Sequence, residues 1–181
     1  FSKPLVHEHV IRENEIFLKK NFHGEMKWLE DHKDKKESPK KIWDKVKTII
    51  VVGQNYAPGF NPLKNNYNKK KANISVYAQN HDYHKVIKKK LQEFKNWLNA
   101  EYNLDSKVFI DTSPIFEKQF AQMSGIGWQG KHTNLVSKDF GSWLFLGEIF
   151  LPIELKEDIE EKDNCGTCSD CISICPSNAI I

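Results

Sequence analysis

A continuous β-branched run, KTIIVVG, occupies residues 47–53. Such a run is typical of a strand that is buried on both faces. Farther along the chain, residues 82–102 carry apolar side chains at helical spacing, and residues 107–110 form a second, shorter strand-like run. Because strand and helix patterns alternate, the sequence predicts an α/β domain.

The remaining elements follow from the same kinds of pattern. We predict a helical region over residues 9–29, a loop over 33–41, a long surface loop over 56–73, and a helix over 115–124 with Pro114 in its first turn. Two further strands, 135–137 and 142–151, are predicted to form a hairpin through 138–141. The acidic stretch 154–164 is a natural linker, so we expect one domain over 1–153 and a second unit over 154–181.

The composition is that of a globular chain. The 181 residues are 39% hydrophobic and 28% charged, which is an ordinary balance for a folded domain. No apolar run approaches the roughly 18 residues that a membrane span needs, and the first residues lack the pattern of a signal peptide. We therefore expect no membrane association and a cytoplasmic location.

Lysine is unevenly distributed along the chain. The net charge is only +3, yet lysines concentrate in residues 33–47, 64–71 and 88–90. Such clusters can neutralise nucleic-acid phosphates. They also suit a solvated, lysine-rich surface, and the residues alone favour that interpretation.

Four cysteines within eleven residues form the most specific motif: Cys165, Cys168, Cys171 and Cys175, followed by Pro176. This is the spacing of bacterial ferredoxins, in which the first three cysteines bind one [4Fe–4S] cluster and the fourth binds another. Zinc sites usually separate their cysteine pairs more widely, so the spacing favours iron and sulfide. We expect Cys175 to begin a helix. Two clusters need eight cysteines, so we also expect the chain to be truncated at its carboxyl end. The alternatives are a single cluster completed by Cys175 or by an outside ligand, and thiols without any metal.

Two other places carry candidate functional residues. Asp111 follows the predicted strand 107–110, where a carboxyl group can act as a proton donor; the same position suits a helix N-cap, which the residues alone favour. The glycine-rich stretch 125–130 lacks the strand–turn–helix order of a dinucleotide site. It is either a structural turn or a turn close to a flat ligand, with polar contacts from Lys131, His132, Thr133 and Asn134.

In these residues the chain resembles epoxyqueuosine reductases, the cobalamin- and iron–sulfur-dependent enzymes that complete queuosine synthesis in tRNA. The matching stretches are HGEM (23–26), VVGQNY (51–56), YA (77–78), DYHK (82–85), DTSP (111–114), GIGWQGKHT (125–133), GSW (141–143) and the cysteine motif. They occur in the family's order and cover nearly the whole chain.

The resemblance implies an α/β cobalamin-binding domain, α+β sandwich-like, followed by the start of a small ferredoxin-like domain. It implies two [4Fe–4S] clusters, the second incomplete here, with Cys165, Cys168 and Cys171 on one and Cys175 on the other. It implies Asp111 as the proton donor, and cobalamin contacts from Lys36, Asp111, Lys131, His132, Thr133, Asn134 and Ser142. Many relatives carry arginine near Lys36, and arginine and lysine do not make equivalent contacts.

The implied reaction is the reduction of epoxyqueuosine to queuosine at the wobble position of tRNA, with electrons passing from the clusters to cobalamin and Asp111 protonating the departing oxygen. The lysine clusters would then contact the tRNA backbone. We expect a monomer that receives electrons from a small donor protein or reductant. A reductive dehalogenase-like oxidoreductase, a simple iron–sulfur electron carrier and a zinc-binding RNA module are the alternatives.

Overall fold

The computed structural model describes residues 1–180, except for the side chain at position 65. Its helices are α1 (Glu8–Lys19), α2 (Trp28–Asp31), α3 (Lys33–Glu37), α4 (Tyr83–Tyr102), α5 (Glu117–Met123) and α6 (Asp170–Ser173). Its strands are β1 (Thr48–Asn55), β2 (Lys107–Ile110), β3 (Trp128–Gln129), β4 (Leu135–Val136) and β5 (Leu144–Leu151). Short 3₁₀ turns lie at Pro39–Lys41, Pro62–Asn65 and Val76–Ala78. The predicted mixture of helices and strands is confirmed.

The main sheet has three antiparallel strands in the order β1–β5–β2. The central strand β5 is buried without interruption from Leu146 to Leu151. Glu148 lies in this buried run, between Val51 of β1 and Phe109 of β2. The strand predicted at 47–53 is confirmed as β1.

Helices cover both faces of the sheet. Because successive side chains of a strand point to opposite faces, Ile149 packs with Ile87 and Leu91 of α4, whereas Phe150 packs with Phe120 of α5. Phe120, Ile149 and Phe150 are fully buried, and each such side chain stabilises the fold by about 1.5–3 kcal/mol. The result is three layers, with α4 and α5 on opposite sides of the strands.

Helix α4 confirms the helix predicted from apolar periodicity over 82–102. Asp82 caps its first turn by accepting a hydrogen bond from the His84 backbone N–H at 3.0 Å. The helix ends at Asn103, which adopts the left-handed conformation with φ 52°. Neither α4 nor any other helix within residues 1–180 has both the length and the apolar character needed to cross a membrane.

Two local predictions at the helix ends are wrong. The loop predicted at 33–41 is instead α3 and a 3₁₀ turn. Helix α3 has no apolar stripe, and Lys33 pairs with Glu15 of α1 at 2.9 Å and with Glu37 at 3.8 Å. Pro114 lies outside α5, since the N-cap of this helix is Phe116.

The predicted hairpin between 135–137 and 142–151 is also wrong. Strand β4 pairs with β3 in a separate two-stranded sheet, and only a single bridge joins Ser137 to Gly141. Strand β5 has β1 along one whole edge and β2 along residues 147–150 of the other.

The small β3–β4 sheet depends on a glycine. A Cβ at Gly127 would lie 2.2 Å from the carbonyl oxygen of Val136, so Gly127→Ala must push the two segments apart. We expect this variant to lower the free energy of unfolding by about 1–3 kcal/mol, measured by urea unfolding. Gly59→Ala is the control, because its Cβ would meet nothing within 4 Å; equal losses in the two variants would contradict this account.

Candidate active site

Asp111 lies directly after β2 and beside the first turn of α4. Its Oδ2 atom accepts a hydrogen bond from the Tyr83 hydroxyl at 2.5 Å and lies 3.0 Å from His84 Nε2. The other ring nitrogen, His84 Nδ1, lies 2.9 Å from Oδ1 of Asp82. Asp111 does not cap α5, whose N-cap is Phe116. The helix-cap interpretation is therefore excluded, and the carboxylate is held by two side chains of α4.

Both neighbours can stay protonated and donate hydrogen bonds to Asp111. Burial and the hydrogen bond to Asp111 raise the pKa of Tyr83, so its hydroxyl remains protonated and continues to donate. Burial lowers the pKa of His84, but its hydrogen bonds to Asp82 and Asp111 outweigh that effect and raise the pKa above its usual value. A protonated His84 would donate to both carboxylates at once.

A stack of aromatic rings lies next to Asp111. The Phe145 ring stacks on Tyr83 with centroids 4.0 Å apart and planes within 2°, and on Tyr56 at 4.1 Å. The three rings come from β5, α4 and the residue after β1. The stacked rings form an apolar boundary beside the carboxylate, which we call the aromatic floor.

Two adjoining cavities meet at Asp111. One, of about 270 Å³, is bounded by the aromatic floor and by polar side chains, including Asp111, Glu117, Lys118, Asn134 and Ser142. The other, of about 610 Å³, lies between α1, α2 and α5 and shares Asp111, Glu117 and Lys118. We call the two cavities together the Asp111 cleft. Its aromatic floor and polar walls suit a ligand that has both apolar and polar parts.

The cleft contains most of the side chains predicted to contact cobalamin. Asn134 and Ser142 line the smaller cavity, while Lys36 and Thr133 line the larger one. Lys118 fixes Asn134 by donating to its Oδ1 at 3.1 Å. Burial lowers the pKa of Lys36, whose Nζ lies 4.9 Å from the centroid of the Phe116 ring.

Lys131 and His132 line neither cavity of the cleft. The His132 Nδ1 accepts a hydrogen bond from the Asn134 backbone N–H at 3.1 Å, which stabilises the local turn. The Lys131 ammonium donates to the carbonyl oxygens of Gly166 at 2.9 Å and Cys168 at 2.7 Å. Lys131 therefore joins the glycine-rich turn to the cysteine motif.

Two further acids beside Asp111 were not predicted from the sequence. Burial, and then the charge of Asp111, raises the pKa of Glu117 to about 7. Glu148 is only 1% exposed, and its Oε1 has no hydrogen-bond partner among the described residues. Burial, reinforced by Glu117 and Asp111, raises the pKa of Glu148 well above its ordinary value. Glu148 could have been singled out from the sequence, because it is the single charged residue in the apolar run 144–151.

The cysteine motif packs against the same domain. The indole N–H of Trp128 points to Cys165 Sγ at 3.3 Å, and Lys138 forms an ion pair with Glu161 at 2.8 Å. Cys171 lies in α6, whereas Cys175 follows that helix. The prediction that Cys175 begins a helix is therefore wrong, and Pro176 directly after it is consistent with a chain that leaves helical geometry.

The donor chemistry of this segment fits thiolate ligands. Backbone N–H groups, led by that of Ile180, and the Ser177 hydroxyl lower the pKa of Cys175 to about 7. Together with the N–H of Trp128 directed at Cys165, these groups resemble the hydrogen bonds to sulfur that tune iron–sulfur clusters. Within residues 1–180, no three His, Cys, Asp or Glu side chains already converge on one point. Residue 181, the last of the predicted second unit, lies outside the described part.

Comparisons with known proteins agree with the resemblance noted in the sequence. The family model "Epoxyqueuosine reductase QueG, DUF1730" matches residues 36–112. The epoxyqueuosine reductase of Cellulophaga algicola is 38% identical over 168 residues, which are 92% of this chain and 53% of that protein. The epoxyqueuosine reductase of Cyclobacterium marinum is 40% identical over 169 residues, which are 92% of this chain and 54% of that protein.

Solved structures share the fold. An epoxyqueuosine reductase with a tRNA-Tyr epoxyqueuosine-modified stem loop superposes with a TM-score of 0.82 at 20% identity, over 99% of this chain and 48% of the other. The Bacillus subtilis enzyme, in a form with the catalytic loop of an aspartate swung out of the active site, gives 0.79 at 20% identity, over 99% and 47%.

The chain therefore has a mixed α/β fold that matches solved epoxyqueuosine reductase structures, and its sequence is similar to those of curated epoxyqueuosine reductases. The chain is a relative of these reductases and spans about half the length of the curated relatives it matches.

Proposed function

We propose that the polypeptide containing this chain reduces epoxyqueuosine to queuosine in tRNA, and that the Asp111 cleft is where the reaction occurs. The names of the relatives support the reaction, and the stem-loop complex of a structural neighbour supports tRNA as the substrate. The observation that carries the proposal is the position of Asp111, which two side chains of α4 hold at the junction of two cavities.

The chain's own contribution is a positioned proton. Removal of the epoxide oxygen as water, leaving a carbon–carbon double bond, consumes two electrons and two protons. We assign delivery of a proton to the departing oxygen to the Asp111 carboxyl group. Tyr83 and His84 hold that group in place, and the aromatic floor limits access of water from one side. The aspartate on a catalytic loop of the B. subtilis enzyme is consistent with this role.

We assign the cofactors to two regions of the chain. Lys36, Thr133, Asn134 and Ser142, with Asp111, would hold cobalamin in the cleft, and Cys165, Cys168, Cys171 and Cys175 would hold iron–sulfur clusters. When bound, these groups supply the redox chemistry and the electrons. Lys131 and Trp128 would keep the cysteine motif close to the cleft, through the contacts given above. His132 would act by shaping the turn between them.

The pH dependence of turnover should report the pairing of two acids. Glu117 and Asp111 line the same cavities, and the pKa of about 7 means that Glu117 keeps its proton up to about pH 7. We expect turnover to fall as the pH rises through this value. In Glu117→Gln the group that titrates near pH 7 is absent, so the fall near that pH should be absent too.

The measurement is kcat as a function of pH under saturating stem loop and reductant. Glu101→Gln is the control, because Glu101 is exposed near the end of α4. An unchanged alkaline limb in Glu117→Gln would contradict the assignment of this proton.

The proposed function is tested by supplying the natural polypeptide, prepared without oxygen, with different substrates. Conversion of an epoxyqueuosine stem loop would support the proposal. Conversion of organohalides alone, electron transfer without any substrate conversion, or zinc without iron, sulfide or corrin would instead select a dehalogenase, an electron carrier or a zinc-binding RNA module. The cytoplasmic location, the monomeric state and the electron donor stay predictions.

A further inference from the structure

Residues 57–81, which we call the mouth loop, begin and end at the Asp111 cleft. The loop leaves β1 after Tyr56, whose ring is part of the cleft floor. It returns at Asp82 and Tyr83, and Tyr83 donates its hydroxyl hydrogen to Asp111. Both ends of the loop therefore lie at the cleft.

The mouth loop carries positive charge in its middle part, residues 64–71, and has no acidic residue. It contains four lysines, Lys64 and Lys69 to Lys71, and no acidic residue occurs between Asp44 and Asp82. All four lysines are exposed. No ion pair joins them to an acid anywhere in the described residues. Their charges are therefore available to a negatively charged partner.

Asparagine side chains give this loop local order. The Asn61 Oδ1 accepts from the backbone N–H of Leu63 at 2.9 Å, and the Asn68 Oδ1 accepts from that of Lys70 at 3.1 Å. These are the short side-chain-to-backbone turns that asparagine commonly forms. The Asn68 turn presents Lys69, Lys70 and Lys71 together on the outside of the loop.

Large apolar side chains of the mouth loop face solvent among these lysines. Tyr67 is 90% exposed, and Phe60, Leu63 and Tyr77 are each more than half exposed. Exposed aromatic rings interleaved with lysines are the combination by which proteins bind single-stranded nucleic acid, since each base has a flat face to stack on and each linkage carries a phosphate.

We propose that the mouth loop binds the unpaired anticodon loop of an RNA substrate, with Tyr67 and its aromatic neighbours stacking on bases and Lys69 to Lys71 contacting phosphates. This inference rests on the proposed function. The reacting nucleoside is part of a macromolecule that cannot enter the cleft, so the RNA must rest on the surface around the entrance. Bases of an unpaired loop can splay out and stack on aromatic side chains, which leaves the target nucleoside free to enter.

The test is fluorescence anisotropy of a labelled epoxyqueuosine stem loop with the cofactor-loaded natural polypeptide. We expect Tyr67→Ala to weaken binding about five- to a hundredfold, and Tyr67→Phe to retain it, because phenylalanine still stacks. Changing Lys69, Lys70 and Lys71 to glutamine should weaken binding and reduce the slope of log K against log salt by about 2, for three lost phosphate contacts on a single strand. Circular dichroism checks that each variant is folded.

The matched control changes Lys19, Lys20 and Lys27 to glutamine, which removes the same charge from three exposed positions outside the lysine clusters. Equal losses in the two triple variants would indicate a general charge effect and overturn the proposal, as would wild-type affinity in both Tyr67→Ala and the mouth-loop triple variant. Binding of the polypeptide to anionic vesicles but not to the stem loop would also overturn it. If the wild type does not bind the stem loop, the proposed function fails as well. If the wild type binds and converts the stem loop while the variants bind it equally well, only the proposal for the mouth loop fails.

Discussion

Asp111→Asn is expected to reduce turnover of an epoxyqueuosine stem loop by at least about a hundredfold, within the range that a positioned general acid contributes. Asparagine has almost the same shape, and its carbonyl oxygen can still accept the hydrogen bond from Tyr83. Its amide has no acidic proton to give to a departing oxygen. The variant therefore removes the proton to be delivered but keeps the shape and hydrogen bonding of the cleft.

The measurement is single-turnover conversion of the stem loop, together with its binding affinity and the cofactor content of the polypeptide. Binding and cofactor content should remain close to those of the wild type. Asp105→Asn is the control, because Asp105 is an exposed aspartate just before β2. Wild-type turnover by the Asp111 variant would remove Asp111 from the proposed chemistry.

Glu148→Gln is expected to stabilise the fold at alkaline pH. The Glu148 side chain lies on the central strand, is almost fully buried, and has an Oε1 without a hydrogen-bond partner in the described part of the chain. A buried polar group without a partner costs about 1–3 kcal/mol, and an ionised one costs more. Glutamine keeps the size of the side chain and cannot ionise.

The direction of the pH effect follows from the pKa of Glu148, which is raised well above the 4.5 of an ordinary glutamate. Below about pH 4.5 the group is protonated in both the folded and the unfolded chain. Above that value the unfolded chain releases its proton while the folded chain retains it, so stability falls as the pH rises toward the folded-state pKa. The Gln variant lacks this loss.

Guanidinium unfolding at pH 4 and pH 8 measures the difference. We expect Glu148→Gln to be more stable than the wild type by about 1–3 kcal/mol at pH 8, with little difference at pH 4. Glu101→Gln provides the control for an exposed glutamate. A variant that is less stable than the wild type at pH 8 would show that the ionised group is needed by the fold.

The elements that the sequence predicts well are those with a strong local pattern. Helix α4 has apolar residues at helical spacing, and β1 is a continuous β-branched run, so both could be recognised without tertiary information. Helix α3 could not, because it has no apolar stripe and its Lys33 pairs with Glu15 of α1, which is distant in sequence. The partner of β4 could not either, since β4 pairs with the short strand β3, which has no strong local pattern.

The candidate site divides in the same way. Asp111 could be singled out because it follows a strand, and the cysteines because of their spacing. The partnership of Asp111 with Tyr83 and His84 joins residues nearly thirty positions apart. Glu117 and Glu148 come together with Asp111 only because α5 packs on the face of β5 that carries Glu148. No local sequence pattern indicates that these three acidic side chains lie close together.

The central claim is that the Asp111 cleft removes one oxygen from a nucleoside in tRNA. The most direct measurement is mass spectrometry of the nucleosides released from an epoxyqueuosine stem loop after anaerobic incubation with the cofactor-loaded natural polypeptide and a reductant. The account predicts that epoxyqueuosine is replaced by a nucleoside lighter by one oxygen atom, with the mass of queuosine. Unchanged epoxyqueuosine in the presence of a polypeptide that contains cobalamin and iron–sulfur clusters and binds the stem loop would contradict it.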